Sequence, residues 1–212
     1  FQSPIIELEQ YSTSGDLASR WLTDILSYGD LFQECTVLDM GSGNGILGLG
    51  SVILGARRAI LVDADKEACE ISRSNAQKGG LEKSVKIIQA KMGFDSIDSS
   101  TADLIICNPP WGSQFPKADR PFLDEILISK KPAHLMHSSE ARHIETLFVK
   151  NGWSVERYGE ADFSLPASYP HHKRYRSKTN TKPTNRTNHK TNKTNNTNTI
   201  QKKSRDTPIK QK

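Results

Sequence analysis

Short apolar runs alternate along the chain with longer stretches in which apolar residues return every three or four positions. The runs Thr36–Leu38, Ala59–Val62, Val85–Gln89, Leu104–Cys107, Ala133–Met136 and Trp153–Tyr158 have the length of buried strands. The stretches between them have helical spacing. Ser14 or Asp16 can cap a first helix that carries Leu17, Trp21, Leu22, Ile25 and Leu26 on one face, and further helices are predicted over Ile46–Leu54, Lys66–Lys78, Pro121–Ser129 and Ser138–Lys150. Gly79-Gly80 supplies a stop for the third of these. Strands and helices that alternate with short connections predict an α/β, Rossmann-like fold: a mostly parallel central sheet with helices on both faces.

The pattern fails after Lys178. Thr, Asn and Lys dominate there, no aromatic follows Tyr175, and Ile200 and Ile209 are the only large apolar residues. Such a segment buries too little apolar surface to offset its ordering entropy, so residues 178–212 are predicted to be a disordered tail behind a domain of residues 1–177. Charge divides the chain in nearly the same place. Residues 171–212 hold thirteen Lys/Arg and one acid, a net of +12, whereas residues 1–170 hold sixteen basic and twenty-three acidic residues, a net of −7. The basic end favours a polyanion, because each neutralised phosphate releases counterions.

Cys35, Cys69 and Cys107 are widely spaced and form no CxxC pair, which predicts buried thiols in a reduced, cytoplasmic setting and no metal site. No stretch approaches the roughly 18 apolar residues of a membrane span, and no signal peptide is expected.

Two motifs carry chemistry. Asp39-Met40-Gly41-Ser42-Gly43-Asn44-Gly45 follows the first strand and has glycines at every second position. Glycines let the backbone approach a ligand closely, and the following helix N-terminus favours a carboxylate or phosphate. Asp39 can accept from an ammonium, and Asp63, ending the second strand, can accept from two ribose hydroxyls. A ligand with an amino-acid end and a ribose is S-adenosylmethionine. A Rossmann-like binder of another ligand is the alternative.

Asn108-Pro109-Pro110-Trp111-Gly112 ends the fourth strand. The prolines stiffen the turn, Asn108 and the Pro109 carbonyl can accept from an NH2 group, and Trp111 offers a flat apolar face. That set suits a planar ring bearing an amine. Together the motifs predict methyl transfer, with Asn108, Pro109, Pro110 and Trp111 catalytic. Asp39, Gly41, Ser42, Gly43, Gly45, Asp63 and Asn108 are expected to bind the cofactor.

On these residues the chain resembles the small-subunit rRNA adenine-N6 methyltransferases, a methyltransferase-like group of class I fold. The likeness is carried by Leu8-Glu9-Gln10-Tyr11 with Thr13, Asp39–Gly45, Asn108–Gly112, His137-Ser138-Ser139, and Asp162 with Leu165–Tyr169, His172 and Lys173. The resemblance implies that Gln10, Tyr11 and Thr13 fold over the cofactor. It implies also that His137, Tyr169, His172, Lys173 and Arg174 lie beside an RNA substrate, and that a small zinc-binding activator protein is a partner. Three positions depart from the family: Lys91 stands where an acid is usual, Trp111 stands where Phe is usual, and the Thr/Asn/Lys tail occupies the place of a final strand.

The function expected is S-adenosylmethionine-dependent methylation of an adenine N6 in RNA, most simply rRNA. The alternatives are a protein glutamine-N5 methyltransferase, which needs the same kind of Asn-Pro-Pro turn, and a catalytically inactive RNA-binding scaffold. His134 is expected to be a satisfied core histidine, and Asp119 to cap the helix beside the acceptor site.

Overall fold

A computed structural model describes residues 13–112 and 115–161 and, as backbone, residues 198–204. The elements run α1 (Gly15–Ser27), β1 (Thr36–Met40), α2 (Ile46–Ile53), β2 (Arg58–Asp63), α3 (Lys66–Lys78), β3 (Val85–Gln89), β4 (Leu104–Cys107), α4 (Arg120–Ser129), β5 (Ala133–Ser138), α5 (Arg142–Lys150), β6 (Ser154–Ala161) and β7 (Asn198–Ser204). They form one seven-stranded sheet in the order β3-β2-β1-β4-β5-β7-β6. Neighbours from β3 to β5 pair in parallel, while β7 is antiparallel to both β5 and β6.

Strand alternation sorts the core onto two faces. Leu38, Met40, Ile105, Cys107, Ala133 and Leu135 pack with Leu123 and Ile126 of α4 and Ile144 and Phe148 of α5. The residues between them, Val37, Leu104, Ile106 and Met136, pack with Leu17, Ala18, Trp21, Leu22 and Ile25 of α1. Leu49 of α2 and Ala76 of α3 close on Ala59 and Leu61 of β2. Of the two residues proposed as the α1 cap, it is Ser14 whose hydroxyl accepts from the Leu17 N–H, at 3.2 Å. The three cysteines are buried and stand in no disulfide.

Two expectations are corrected. Residues 138–141 form a turn closed by Ala141 N–H to Ser138 C=O at 3.0 Å, so α5 starts at Arg142 and β5 extends to Ser138. More consequentially, a final strand does exist. Asn198–Ser204, within the segment expected to be wholly disordered, pairs with β5 from Ala133↔Lys203 to Ser138↔Asn198 and with β6 from Ser154↔Ser204 to Ala161↔Asn198. Composition argues against burying side chains there, but a strand between two others is held by backbone hydrogen bonds on both edges, which no composition rule counts.

The sheet order reverses between β1 and β4, and ligands bind such sheets beyond the strand C-termini at that crevice. Both motifs leave from there.

Candidate active site

β1 is buried along its whole length and delivers Asp39 into the interior with no exposure. Asp39 Oδ2 accepts from the Gly48 N–H in the first turn of α2 at 2.8 Å, while Oδ1 is buried without a partner among the described residues. Burial lifts its pKa to about 7; the Gly48 bond opposes that rise and the nearby Asp63 charge adds to it.

Gly41, Gly43 and Gly45 all have positive φ (+72°, +55° and +82°), so the loop turns left-handed at every second residue. The loop is tied to the end of β2: Gly41 and Ser42 N–H both donate to the Val62 carbonyl, at 2.9 and 3.0 Å, and Gly43 N–H donates to Asp63 Oδ2 at 2.7 Å. From α3, the Ser72 hydroxyl donates to the Gly43 carbonyl at 2.8 Å and Asn75 Nδ2 to the Asn44 carbonyl at 2.9 Å. Asp63 Oδ1 also accepts from the Asp65 N–H at 2.9 Å, and burial pushes the Asp63 carboxyl up against the pull of these backbone donors. The Ser42 hydroxyl, like Asp39 Oδ1, is buried without a partner among the described residues. Two orphaned polar atoms on one glycine cradle fit a ligand that brings its own donors, such as an ammonium and hydroxyls.

The acceptor motif starts directly after β4. Asn108 Nδ2 donates to Thr13 Oγ1 at 3.1 Å, and Trp111 Nε1 donates to Asn108 Oδ1 at 3.3 Å. Both contacts require the same amide orientation, so the carbonyl end is fixed on the Trp111 side with one lone pair still available. Trp111 lies 6.2 Å from the His137 ring, tilted by 35°. His137 Nδ1 accepts from the Ser138 N–H at 2.9 Å, which leaves the ring proton on Nε2. That nitrogen is 3.3 Å from Asp119 Oδ2, within ion-pair distance but out of line for a hydrogen bond. Asp119, nearly buried, also faces His143 Nε2 at 3.1 Å. Burial would raise the Asp119 carboxyl, but contacts with His137 and His143 outweigh it and hold the carboxyl below its ordinary range.

The structure therefore brings together Thr13, Asp39, Gly41, Ser42, Gly43, Gly45, Asp63, Asn108, Pro109, Pro110, Trp111 and His137 around one crevice. Gln10, Tyr11, Tyr169, His172, Lys173 and Arg174 lie outside the described residues. Sequence reasoning missed Ser72, Asn75 and His143. Their partners come from distant elements, and no local pattern signals them. Asp119 was read as a helix cap, but its side chain makes no capping bond and turns to the histidines instead. At the position where an acid was expected, the Lys91 N–H donates to Asp95 at 2.7 Å and its ammonium lies 4.5 Å from the Phe94 ring centre.

Four similarities to known proteins bear on identity. The rRNA N(6)-adenosine-methyltransferase METTL5 of Danio rerio is 34% identical over 182 residues, covering 82% of this chain and 86% of that protein. The chain belongs to the rRNA N6-adenosine methyltransferase family. Protein MJ0284 of Methanocaldococcus jannaschii is 33% identical over 181 residues, 81% of each chain. The crystal structure of PH1948 from Pyrococcus horikoshii superposes with a TM-score of 0.74 at 29% identity, covering 97% of this chain and 89% of that one. Residues 17–109 also match the family model of ribosomal protein L11 methyltransferase (PrmA). That match runs from α1 to the first proline of the acceptor motif, the half that builds the glycine cradle. The family assignment rests on the Danio rerio relative, whose similarity covers 82% of the chain and so extends beyond the residues matched by that model.

Proposed function

We propose that this chain uses S-adenosylmethionine to methylate the N6 amine of an adenine in RNA, most simply ribosomal RNA. The carrying observation is the Asn108 amide, oriented by Thr13 and Trp111 at the strand end beside the Asp39–Gly45 cradle. When bound, the cofactor supplies a methyl group on a sulfonium whose departure leaves a neutral thioether.

Asp39 Oδ1 and Ser42 Oγ would hold its ammonium and carboxylate end, and Asp63 its ribose hydroxyls, alongside the cradle backbone. Trp111 supplies a face for the adenine ring, which offsets part of the few kcal/mol needed to unstack the base. The free lone pair of Asn108 Oδ1 and the Pro109 carbonyl accept from the amine. An aromatic amine is a poor nucleophile because its lone pair is delocalised. Acceptors that favour a pyramidal nitrogen stabilise the transition state more than the ground state. Because Thr13 and Trp111 hold the amide in advance, little reorganisation is needed at the moment of transfer. No strong base is required, since the methylated ammonium is acidic enough to release its proton afterwards.

A small zinc-binding activator, implied by the family resemblance, belongs to the same proposal, as does a cytoplasmic location. β3 and β6 are the edge strands that could receive it.

The test supplies the full chain with labelled S-adenosylmethionine and small-subunit rRNA, with and without a candidate activator, and analyses the digested nucleosides. N6-methyladenosine is the expected product. Asn108→Ala should lower turnover by about 10²–10³-fold, the range for loss of a preorganised polar group, with cofactor affinity nearly unchanged. Equal loss of both would refute the role assigned to Asn108. Methyl on a protein glutamine and none on RNA would establish the protein-methylating alternative.

A further inference from the structure

A cationic surface lies on the outer side of α5, the helix that follows the turn after His137. An open groove of about 710 Å³ is lined by Arg142, Glu145, Thr146, Val149 and Lys150 of α5 and by Arg157 of β6. Three cations face one carboxylate there. Glu145 is already engaged by Arg157 at 3.5 Å, while Arg142 and Lys150 have no ion-pair partner among the described residues. The body of the chain carries net negative charge, so a groove with a net of +2 is a local reversal, where a polyanion would be drawn in preference to the surrounding surface. Val149 is 56% exposed at the same place and offers apolar surface to a sugar or base.

The groove's position is what ties it to the reaction. β5 and β6 run in the same direction, each antiparallel to β7, so their C-terminal ends lie on one rim. Arg142 starts α5 just four residues after Ser138, where β5 reaches that rim beside His137 and Trp111. Arg157 Nη1 reaches back to donate to the Ser139 carbonyl at 3.2 Å, which joins the wall of the groove to the turn leaving His137. A nine-residue helix spans about 13 Å, so Arg142 and Lys150 mark a path roughly two nucleotides long leading away from the acceptor site.

We propose that the α5–β6 groove holds the phosphodiester backbone of the RNA strand flanking the target adenine, with Arg142 and Lys150 as its phosphate contacts. This rests on the RNA-methyltransferase reading and adds to it where the substrate strand runs. Contacts of this kind neutralise phosphates and read no sequence. They should therefore act on affinity and its salt dependence while leaving the cofactor site unchanged.

The experiment is fluorescence anisotropy of the full chain with a labelled single-stranded RNA 15-mer containing one central adenine, over a range of KCl concentrations. Arg142→Gln/Lys150→Gln is compared with wild type and with Lys78→Gln/Lys83→Gln, a charge-matched control at the end of α3 and just before β3. Losing two phosphate contacts should lower the slope of log affinity against log salt by about 1.4 for a single strand. Affinity at low salt should fall at least several-fold, and the control should not change either quantity. Cofactor affinity by calorimetry and the melting temperature should be the same in all three proteins. A slope equal to wild type in the groove variant, an equal drop in the control, or no RNA binding by the wild type overturns the proposal. Unchanged RNA binding with loss of binding to polyglutamate would reassign the groove to an acidic protein partner and overturn it too. Absence of cofactor binding by the wild type would instead count against the methyltransferase reading, since the anisotropy assay contains no cofactor.

Discussion

β5 carries two histidines three residues apart, and the pleat sends them to opposite faces of the sheet. His134 ends in a closed polar network. Its Nε2 faces Asp30 Oδ2 at 2.9 Å, its Nδ1 faces the Tyr158 hydroxyl at 2.6 Å, and that hydroxyl accepts from Trp21 Nε1 at 2.9 Å. Tyr28 packs edge-on against Tyr158 at 4.8 Å. Each named polar atom has a partner, and burial pushes the Tyr158 hydroxyl well above its ordinary pKa. The network joins α1, β5 and β6 and presents nothing to a ligand. His137, on the other face, ends in an open cluster with Trp111, Asp119 and His143 in which the His137 Nε2 contact is misaligned. A fully satisfied buried network fixes a fold, whereas one left incomplete has capacity for a further group.

The largest test of this contrast removes what both sides share. β7 sits between the strand bearing both histidines and the strand bearing Tyr158. Deleting residues 198–212 strips backbone partners from β5 and β6 together. The melting temperature should fall by more than about 10 °C, since 1 kcal/mol is worth about 2–4 °C at this chain length and several hydrogen bonds are lost. Calorimetric melts of the full and truncated chains check this, and an unchanged melt would show that β7 adds nothing to the fold.

Next in size is the pair of single changes. His134→Ala leaves Asp30 and Tyr158 without their buried partner and should cost about 3 kcal/mol in chemical denaturation, while methyl-transfer activity per folded molecule stays near wild type. His137→Ala should cost about 1 kcal/mol yet lower turnover about tenfold or more, because the surface supporting Trp111 is lost. Activity loss in the first and none in the second would invert the assignment.

The smallest effect is on pH dependence, and it concerns Asp39. Its carboxyl pKa is raised to about 7 by burial, so between pH about 4 and about 7 the folded chain binds a proton that the unfolded chain has released, and stability falls as pH rises through that window. A ligand ammonium requires the charged carboxylate. Affinity for S-adenosylmethionine should therefore rise with pH up to about 7 and level off above it, with proton release on binding at pH 6. Calorimetry in buffers of different ionisation enthalpy measures that release, and Asp39→Asn should abolish it.

What the sequence made legible was whatever depends on neighbours in the chain. The strand runs, the Ser14 cap, the glycine spacing and the Asn108–Gly112 turn are local signals, and they put the crevice at the right end of the sheet. His134 was also legible as a satisfied core histidine, since it sits within an apolar run. Its partners Asp30, Tyr158 and Trp21 were not, and neither were Asp119 and His143 beside His137. Apart from His143, six residues after His137, those contacts join residues far apart in the chain, and only the tertiary fold brings them together. β7 was illegible for a different reason: its stabilisation lies in the backbone, and hydropathy records side chains.

The insertion of β7 has a consequence for how the molecule assembles in time. Thirty-six residues separate the end of β6 from the start of β7, so the last two strands cannot close like a hairpin. Until residues 198–204 have been synthesised, the strand that pairs with both β5 and β6 is missing, and β5 is left without the main-chain partners that β7 supplies. Pairing strands so far apart in the chain costs entropy before any new contact repays it, and such non-local pairing is slow. The newly made chain should therefore pass through a state in which the sheet from β3 to β5 is built and its far end is still adhesive. Chaperone dependence, and aggregation of chains halted before residue 198, follow from that order of events.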